Sequence, residues 1–236
     1  AKIKVGGAVF DKKIKVETVM PNRLKINLDF GKDAMLGSNS ESKGNLTAAW
    51  LFGSPGKNLK TKIDASLYAR KTVFQKFSGF DFDNPATNYS TLTKTILDGI
   101  TDENGQVSVS PAFEIEGEAP GMLTANLLVK VFEPGGSFSI DNMSIPYSPY
   151  GSYAGIKMPD GEKPFDYLLS GKKHTIQVVN VDNKGNLISG SSDMEVQFYK
   201  IQWRWWWDEG SDNLSNFTQD EYNKLIKKDD ISLSNG

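Results

Sequence analysis

Few side chains in this sequence are of the types that carry out enzymatic chemistry. The sequence contains no Cys and a single His, His174. Without Cys, the chain can form no disulfide, no thiolate metal site and no Cys nucleophile. His174 falls in a period-two pattern, which favours an ordinary strand residue over a general base, and no nucleophile-elbow Ser, P-loop or G-x-G-x-x-G accompanies it. We therefore predict a protein that is not an enzyme and has no catalytic, cofactor-binding or metal site.

Oxygen ligands for Ca²⁺ could come from Asp81, Asp83 and Asn84, but their spacing lacks the full EF-hand pattern, so we do not predict a metal site. They lie in a long irregular stretch, residues 70–88, which also carries four phenylalanines: Phe74, Phe77, Phe80 and Phe82. These rings could form a ligand platform. We favour the alternative, in which the loop folds over the open end of a β-sandwich and buries its rings there.

A tryptophan cluster is the other candidate for function. Trp203, Trp205, Trp206 and Trp207 occupy four of five consecutive positions, and in a strand three of them would share one face while Trp206 opposes them. Exposed aromatic rows on β-sandwiches can stack on sugars or mark a protein contact. We favour a third interpretation, in which the rest of an incomplete domain covers the cluster, and retain these residues as a candidate interaction surface.

Composition excludes several classes of function. The 236 residues include 27 basic and 29 acidic side chains that are interspersed, so nothing indicates a nucleic-acid surface. No apolar run approaches the ~18 residues that a membrane span requires. The sequence opens at Ala1 in mid-pattern, without an initiator Met or a signal peptide, and we expect it to be a piece of a longer protein.

The elements that would position these residues are strands. Apolar residues alternate with polar residues in a series of segments bounded by turn residues, which predicts strands near 14–18, 24–30, 46–52, 59–67, 92–100, 107–115, 123–131 and 138–143. Gly53, Pro55 and Gly56 separate the third and fourth segments, so we predict a hairpin there with one apolar face. No amphipathic helix intervenes, and the pattern predicts an all-β antiparallel sandwich.

We divide the chain into three parts. Residues 1–146 are predicted to form one complete sandwich, and residues 147–207 the first part of a second β domain, with a D-x-x-G turn at 102–105 in the first and at 182–185 in the second. Residues 208–236 read as a polar, partly helical tail. Thr218 as N-cap, Glu221 completing a capping box and a Phe217–Tyr222 staple predict a short helix that ends by Asp229.

Several linked segments resemble an internal stretch of bacterial alpha-2-macroglobulins. They are VETVMPNRLKINLDFG (16–31), LTAAWLFGSPGKNLKTKIDASL (46–67), the F-x-x-F-x-x-F-x-F loop (74–82), EPGGSFSIDNMSIPYSPYGSYAGIKM (133–158) and VVNVDNKGNLISGSSDMEVQFYKIQWRWWWD (178–208). The resemblance implies macroglobulin domains, which are immunoglobulin-like or fibronectin-like antiparallel sandwiches, and we expect a domain of the MG2 type. It also implies that the passage 133–158 joins two successive domains.

Whole members of that family trap proteases, which cut a bait segment and are then enclosed. The resemblance therefore implies a structural module of a periplasmic or cell-envelope protease inhibitor, whose partners are neighbouring domains of the same chain and target proteases. It also implies that 208–236 could begin the bait-bearing insertion. The family's thioester motif is absent, so we expect no covalent trapping and no inhibition by this piece alone. A carbohydrate-binding or adhesion module that uses the Trp cluster is the alternative.

Overall fold

The computed structural model describes residues 2–6, 8–11, 22–37, 42–85, 87, 89–111, 115, 117–164, 166–201 and 223–236. Within these ranges the chain forms a 3-10 turn at Gln75–Phe77 and fourteen strands: β1 Lys2–Val5, β2 Ala8–Asp11, β3 Leu24–Asp29, β4 Leu36–Gly37, β5 Gly44–Trp50, β6 Lys60–Ala69, β7 Leu92–Ile100, β8 Gln106–Val109, β9 Leu123–Phe132, β10 Phe138–Ser148, β11 Ser152–Lys157, β12 Gln177–Asp182, β13 Ser191–Ile201 and β14 Asn223–Ser234. The strand predicted near 14–18 lies outside the described residues.

Strands β3 to β10 form the predicted all-β sandwich. One sheet has the order β3-β5-β8 and the other β4-β10-β9-β6-β7, so β9 is its central strand. All the pairs are antiparallel except β4 with β10, which is parallel. Side chains along a strand point alternately to its two faces, and one face of β9 is fully buried between the two sheets. That face consists of Leu123, Ala125, Leu127, Val129 and Val131, each at most 1% exposed.

The apolar faces of the two sheets meet in one core. Leu24, Leu46 and Ala48 come from the three-stranded sheet, and Ile63 and Leu67 from the five-stranded one. All five side chains are 1% exposed or less. A close-packed core between two sheets is what holds such a domain together, since each sheet alone would expose one apolar face.

The predicted hairpin between β5 and β6 is wrong. These strands lie in different sheets, and residues 51–59, which we call the arch, connect one sheet to the other. Nine residues, 51–59, separate the strands, more than the roughly two to five of a hairpin loop. Alternation could not distinguish the two arrangements, because each strand buries one face in a hairpin and in an arch alike.

Thr101 fastens the arch to the five-stranded sheet. Its hydroxyl donates to the carbonyl of Gly56 (2.6 Å) and accepts from the N–H of Leu59 (2.9 Å). Its own N–H donates to the carbonyl of Leu59 (3.0 Å). The side chain of Thr101 is buried, at 2% exposure. At Gly56 and Leu59 a buried hydroxyl thus supplies hydrogen bonds of the kind that a neighbouring strand makes in a sheet.

The second unit is smaller, and its described residues form two strand pairs. β11 pairs with β12, and β13 pairs with β14, both antiparallel. Residues 223–229, which were predicted to be helical, are therefore a strand, and 217–222 lie outside the described residues. The capping-box signal is local, whereas Met194 faces Ile231 across the pair and Lys228 forms an ion pair with Glu195. These cross-strand contacts outweigh the helix signal.

No helix among the described ranges has the length and hydropathy that crossing a membrane would need.

We expect Thr101→Val to lower the free energy of unfolding by about 1–3 kcal/mol, because an isosteric side chain leaves the N–H of Leu59 and the carbonyl of Gly56 without their partner. The measurement is the midpoint of urea unfolding, with an unchanged slope. Thr93→Val is the matched control, since the Thr93 hydroxyl bonds Ser66 at the surface (2.8 Å) and its loss should cost less than about 0.5 kcal/mol. Equal midpoints for both variants would contradict the role of Thr101.

Candidate functional site at the junction of the two units

The phenylalanine-rich loop lies between the sandwich and the second unit. Phe74 and Phe82, each 6% exposed, form a buried cluster with Met122 of the sandwich and with Tyr153 and Val181 of the second unit. We call these five residues the aromatic junction. The prediction that the loop buries its rings is confirmed for Phe74 and Phe82, and Phe77 and Phe80 pack against them partly buried. The rings are therefore packed and do not form an open ligand platform.

The rings meet edge to face. The centroids of Phe74 and Phe82 are 4.8 Å apart with an interplanar angle of 81°. Phe74 and Tyr153 are 5.7 Å apart at 63°. This arrangement places the positive edge of one ring against the negative face of the next, the favoured geometry for aromatic pairs. The junction is thus a defined packing of three rings from two units.

Two glycines of the second unit make this approach possible. A Cβ on Gly155 would lie 2.3 Å from Cε1 of Phe82, and one on Gly185 would lie 2.7 Å from Cδ1 of Phe74. Both distances are shorter than any ordinary contact of a Cβ atom. Each phenyl ring therefore packs directly on backbone where a side chain would stand, and any larger residue at either position must displace a buried ring.

Backbone hydrogen bonds also cross the junction. The N–H of Asp81 donates to the carbonyl of Ile156 (2.8 Å), and the N–H of Ile156 donates to the carbonyl of Asp81 (2.9 Å). The loop of the sandwich thus adds one antiparallel bridge to the edge of β11. Lys76 donates from Nζ to Oδ1 of Asn186 (3.0 Å), a further contact at the rim.

Within the sandwich, Asp83 and Thr72 hold the base of the loop. The N–H of Thr72 donates to both carboxylate oxygens of Asp83 (3.1 Å each), and the N–H of Met122 donates to Oγ1 of Thr72 (2.7 Å). The carboxylate of Asp81 pairs with Lys71 at 3.7 Å. Both carboxylates considered as oxygen ligands therefore have partners in the protein. Among the residues that the structure describes, no three His, Asp or Glu side chains cluster as a metal site.

The linker from β10 to β11 is tied down by two tyrosines. Oγ of Ser148 lies 2.7 Å from the hydroxyl of Tyr153 and donates to the carbonyl of Tyr150 (2.8 Å). The hydroxyl of Tyr150 donates to the carbonyl of Ala119 (2.7 Å) and accepts from its N–H (2.8 Å). Burial raises the pKa of the Tyr153 phenol, so this group stays neutral in the junction.

The D-x-x-G turn at 182–185 forms the floor under Phe74. Oδ1 of Asp182 accepts from the N–H groups of Lys184 and Asn186, both at 2.8 Å. Burial opposes the charge of Asp182, but hydrogen bonds from Asn186 and Lys184 outweigh it, so the pKa of Asp182 is lowered. The D-x-x-G turn at 102–105 has the same hydrogen bonds: Oδ1 of Asp102 accepts from the N–H groups of residues 104 and 106, at 2.9 and 2.7 Å.

The other residues considered from the sequence are not part of the junction. Trp203, Trp205, Trp206 and Trp207 lie outside the described residues. His174 precedes β12, so the prediction of a strand at this position is wrong; it is exposed, and its Nε2 lies 2.8 Å from the carbonyl of Leu169. Sequence reasoning missed Tyr153, Val181 and the two glycines, because the spacing of the phenylalanines indicates a buried loop but not what buries it.

Two family models match the chain. One, described as "Bacterial Alpha-2-macroglobulin MG5 domain", matches residues 22–146, and the other, "Bacterial macroglobulin domain 6", matches residues 155–236. The matched domain types are therefore MG5 and MG6 in place of the MG2 type expected from the sequence. No curated protein matches the sequence.

Solved structures align with the chain at low sequence identity. Trypsin-activated alpha-2-macroglobulin from Escherichia coli aligns with a TM-score of 0.54 and 17% identity over 92% of this chain and 14% of that one. Salmonella alpha-2-macroglobulin reacted with methylamine aligns with a TM-score of 0.45 and 17% identity over 93% of this chain and 14% of that one. This chain thus spans about one seventh of these proteins. Residues 22–146 alone exceed half of the 236 residues, and the chain belongs to the bacterial alpha-2-macroglobulin family.

Proposed function

We propose that this chain is a non-catalytic structural module of a larger bacterial protein that traps proteases in the periplasm or at the cell envelope. The observation that carries the proposal is the aromatic junction, which joins the region matched by the MG5 model to the region matched by the MG6 model. Its partners would be neighbouring domains of the same polypeptide and, for the whole protein, target proteases.

The role of the junction is to make two units move as one. Burial of a phenylalanine side chain stabilises by about 1.5–3 kcal/mol, so separating Phe74 and Phe82 from the second unit costs at most roughly 3–6 kcal/mol, because the two rings keep their contacts with each other and with Met122. The bridge between Asp81 and Ile156 adds two backbone hydrogen bonds. An open junction is therefore rarely populated, and a displacement of one unit is passed to the other. A protein that closes around a protease needs such rigid couplings between its mobile parts.

We further propose that the bait-bearing segment begins in residues 208–222. The sequence suggested 208–236, but Asn223–Ser234 is a strand that pairs with β13. Proteases need a segment that can enter their cleft in extended form, and a paired strand must first unpair to do so. The residues between β13 and β14 are the better candidate. The Trp cluster stays a candidate interaction surface of the same connection, and no described contact favours its use for carbohydrate.

Entrapment by the longer protein tests the proposed function. We expect a protease incubated with it to keep its activity on a small peptide substrate and to lose most of its activity on a large protein substrate, because an enclosed enzyme remains accessible only to small molecules. Undiminished activity on the large substrate, with cleavage of the longer protein confirmed on a gel, would contradict the proposal.

The 236-residue chain alone should leave a protease fully active. The isolated chain cannot surround a protease. We therefore expect the protease to digest a large protein substrate at the same rate with and without a molar excess of the chain. The control is the longer protein at the same molar excess. Inhibition by the isolated chain would show that it blocks the protease directly, which a structural module does not do.

Limited proteolysis locates the proposed bait segment. Residues 208–222 contain no Lys or Arg, so a glutamyl endopeptidase and chymotrypsin are suitable and trypsin is the control. We expect first cuts within 208–222, and we expect the two fragments to co-elute in size exclusion because eleven residue pairs join β13 to β14. First cuts within residues 70–88, with 208–222 intact, would contradict the placement.

Gly155→Ala tests the tightness of the junction. The added Cβ would lie 2.3 Å from the Phe82 ring, so we expect the N–H groups of Asp81 and Ile156 to exchange with solvent about tenfold faster or more. Gly151→Ala is the matched control, because a Cβ at that position meets no atom within 4 Å. Unchanged exchange in both variants would show that the rings do not hold the two units together.

A further inference from the structure

The turn that follows β5 has the same backbone geometry as the turn that follows β12, and the turns at 102–106 and 133–137 share it. In residues 50–54 and in residues 182–186, the N–H of the first residue donates to the carbonyl of the fifth, at 2.8 Å in both turns. The N–H of the fourth residue donates to the carbonyl of the first, at 2.8 and 3.0 Å. That fourth residue is Gly53 or Gly185, with φ of 94° and 77°, where other residues would be strained.

Position relates the turns at 50–54 and 182–186 to each other, because both occupy the same place in their units. In the sandwich, the first residue of β3, Leu24, pairs with the last residue of β5, Trp50. In the second unit, the first residue of β11, Ser152, pairs with the last residue of β12, Asp182. Each turn therefore lies at the end of its unit where the first strand begins, next to the point at which the chain enters from the preceding residues.

Their surroundings differ. The turn at 182–186 packs on the preceding unit, with Gly185 against the ring of Phe74. At the equivalent place in the sandwich, Leu51 is 69% exposed and Phe52 is 80% exposed. Among the described residues these two are the most exposed large hydrophobic side chains. A pair of adjacent, strongly exposed apolar residues in a defined turn is typical of a contact surface.

The backbone around Leu51 and Phe52 is held in place. The ring of Phe52 stacks on that of Trp50, with centroids 6.0 Å apart and 11° between planes. The N–H of Leu51 donates to the carbonyl of Arg23 (3.1 Å), and Ala49 forms a bridge with Pro55. The turn thus presents its apolar side chains without needing to be ordered by a partner, which reduces the entropic cost of binding.

We propose that the turn at 50–54 is a docking surface for the β unit that precedes the sandwich in the same polypeptide, in the way that the turn at 182–186 receives the sandwich. The occupant would offer an apolar, aromatic-lined loop. β1 and β2 lie ahead of the residues matched by the MG5 model, so β structure precedes the sandwich. This inference rests on the proposed function, since it treats the chain as part of a row of β units.

The covalent connection to the preceding β unit favours that unit over a separate protein as the binding partner of the turn. The chain comes into the sandwich at Asn22, whose side chain donates to the carbonyl of Ile140 (2.8 Å) and accepts from its N–H (3.0 Å). The next residue, Arg23, contacts Leu51 through the backbone. A unit attached through residues 12–21 is thereby confined close to the turn, and such a link raises the effective concentration of one surface at the other.

Thiol labelling of Phe52→Cys tests the proposal, because the chain has no other Cys. The variant is prepared both as this chain and within the longer protein, and maleimide labelling at position 52 is followed by peptide mass spectrometry. We expect labelling to be about tenfold slower or more in the longer protein. Lys94→Cys, at an exposed position on β7, is the control and should label equally in both.

Rates at position 52 that agree within about twofold between the two proteins would overturn the proposal. Protection in the isolated chain that increases with its concentration would also overturn it, since a second copy would then be the occupant. The readout does not depend on protease entrapment. A longer protein that protects position 52 but fails to entrap proteases would therefore refute the proposed function and leave the docking surface standing.

Discussion

The packing of two phenyl rings on two glycine backbones is the contact on which the arrangement of this chain depends. Phe82 fills the space where Gly155 lacks a side chain, and Phe74 does the same at Gly185. No other residue at either glycine could leave the rings where they are. Because the rings belong to the sandwich and the glycines to the second unit, a local steric requirement determines how two domains are joined.

The remaining polar contacts serve this packing. Thr72 and Asp83 order the loop that carries the rings, and Tyr150 and Ser148 fasten the linker that brings Gly155 into position. Each is a hydrogen bond to backbone in a region without a regular ladder, where unpaired N–H and carbonyl groups would be costly. The sandwich contributes rigidity, since its core and the Thr101 contacts hold both sheets and the arch as one body.

Alternation of apolar and polar residues predicted most of the strands and the all-β class, because every second side chain of a half-buried strand faces the core. It could not separate an arch from a hairpin between β5 and β6, since both bury one face of each strand. The capping-box signal failed at 223–229, because pairing with the distant strand β13 overrides a local helix signal. The buried phenylalanine loop was predictable from its composition, whereas Gly155 and Gly185 were not, because the close approach they permit exists only between units.

The distance between the two units tests the central claim most directly. With spin labels at Lys94→Cys in the sandwich and Gln177→Cys in the second unit, electron–electron dipolar spectroscopy gives the distribution of their separation. Rigid coupling predicts a distribution as narrow as that between Lys94→Cys and Ser144→Cys, which lie in one sheet. A distribution several times broader, or one with two separate maxima, would show that the units move independently and would contradict the account.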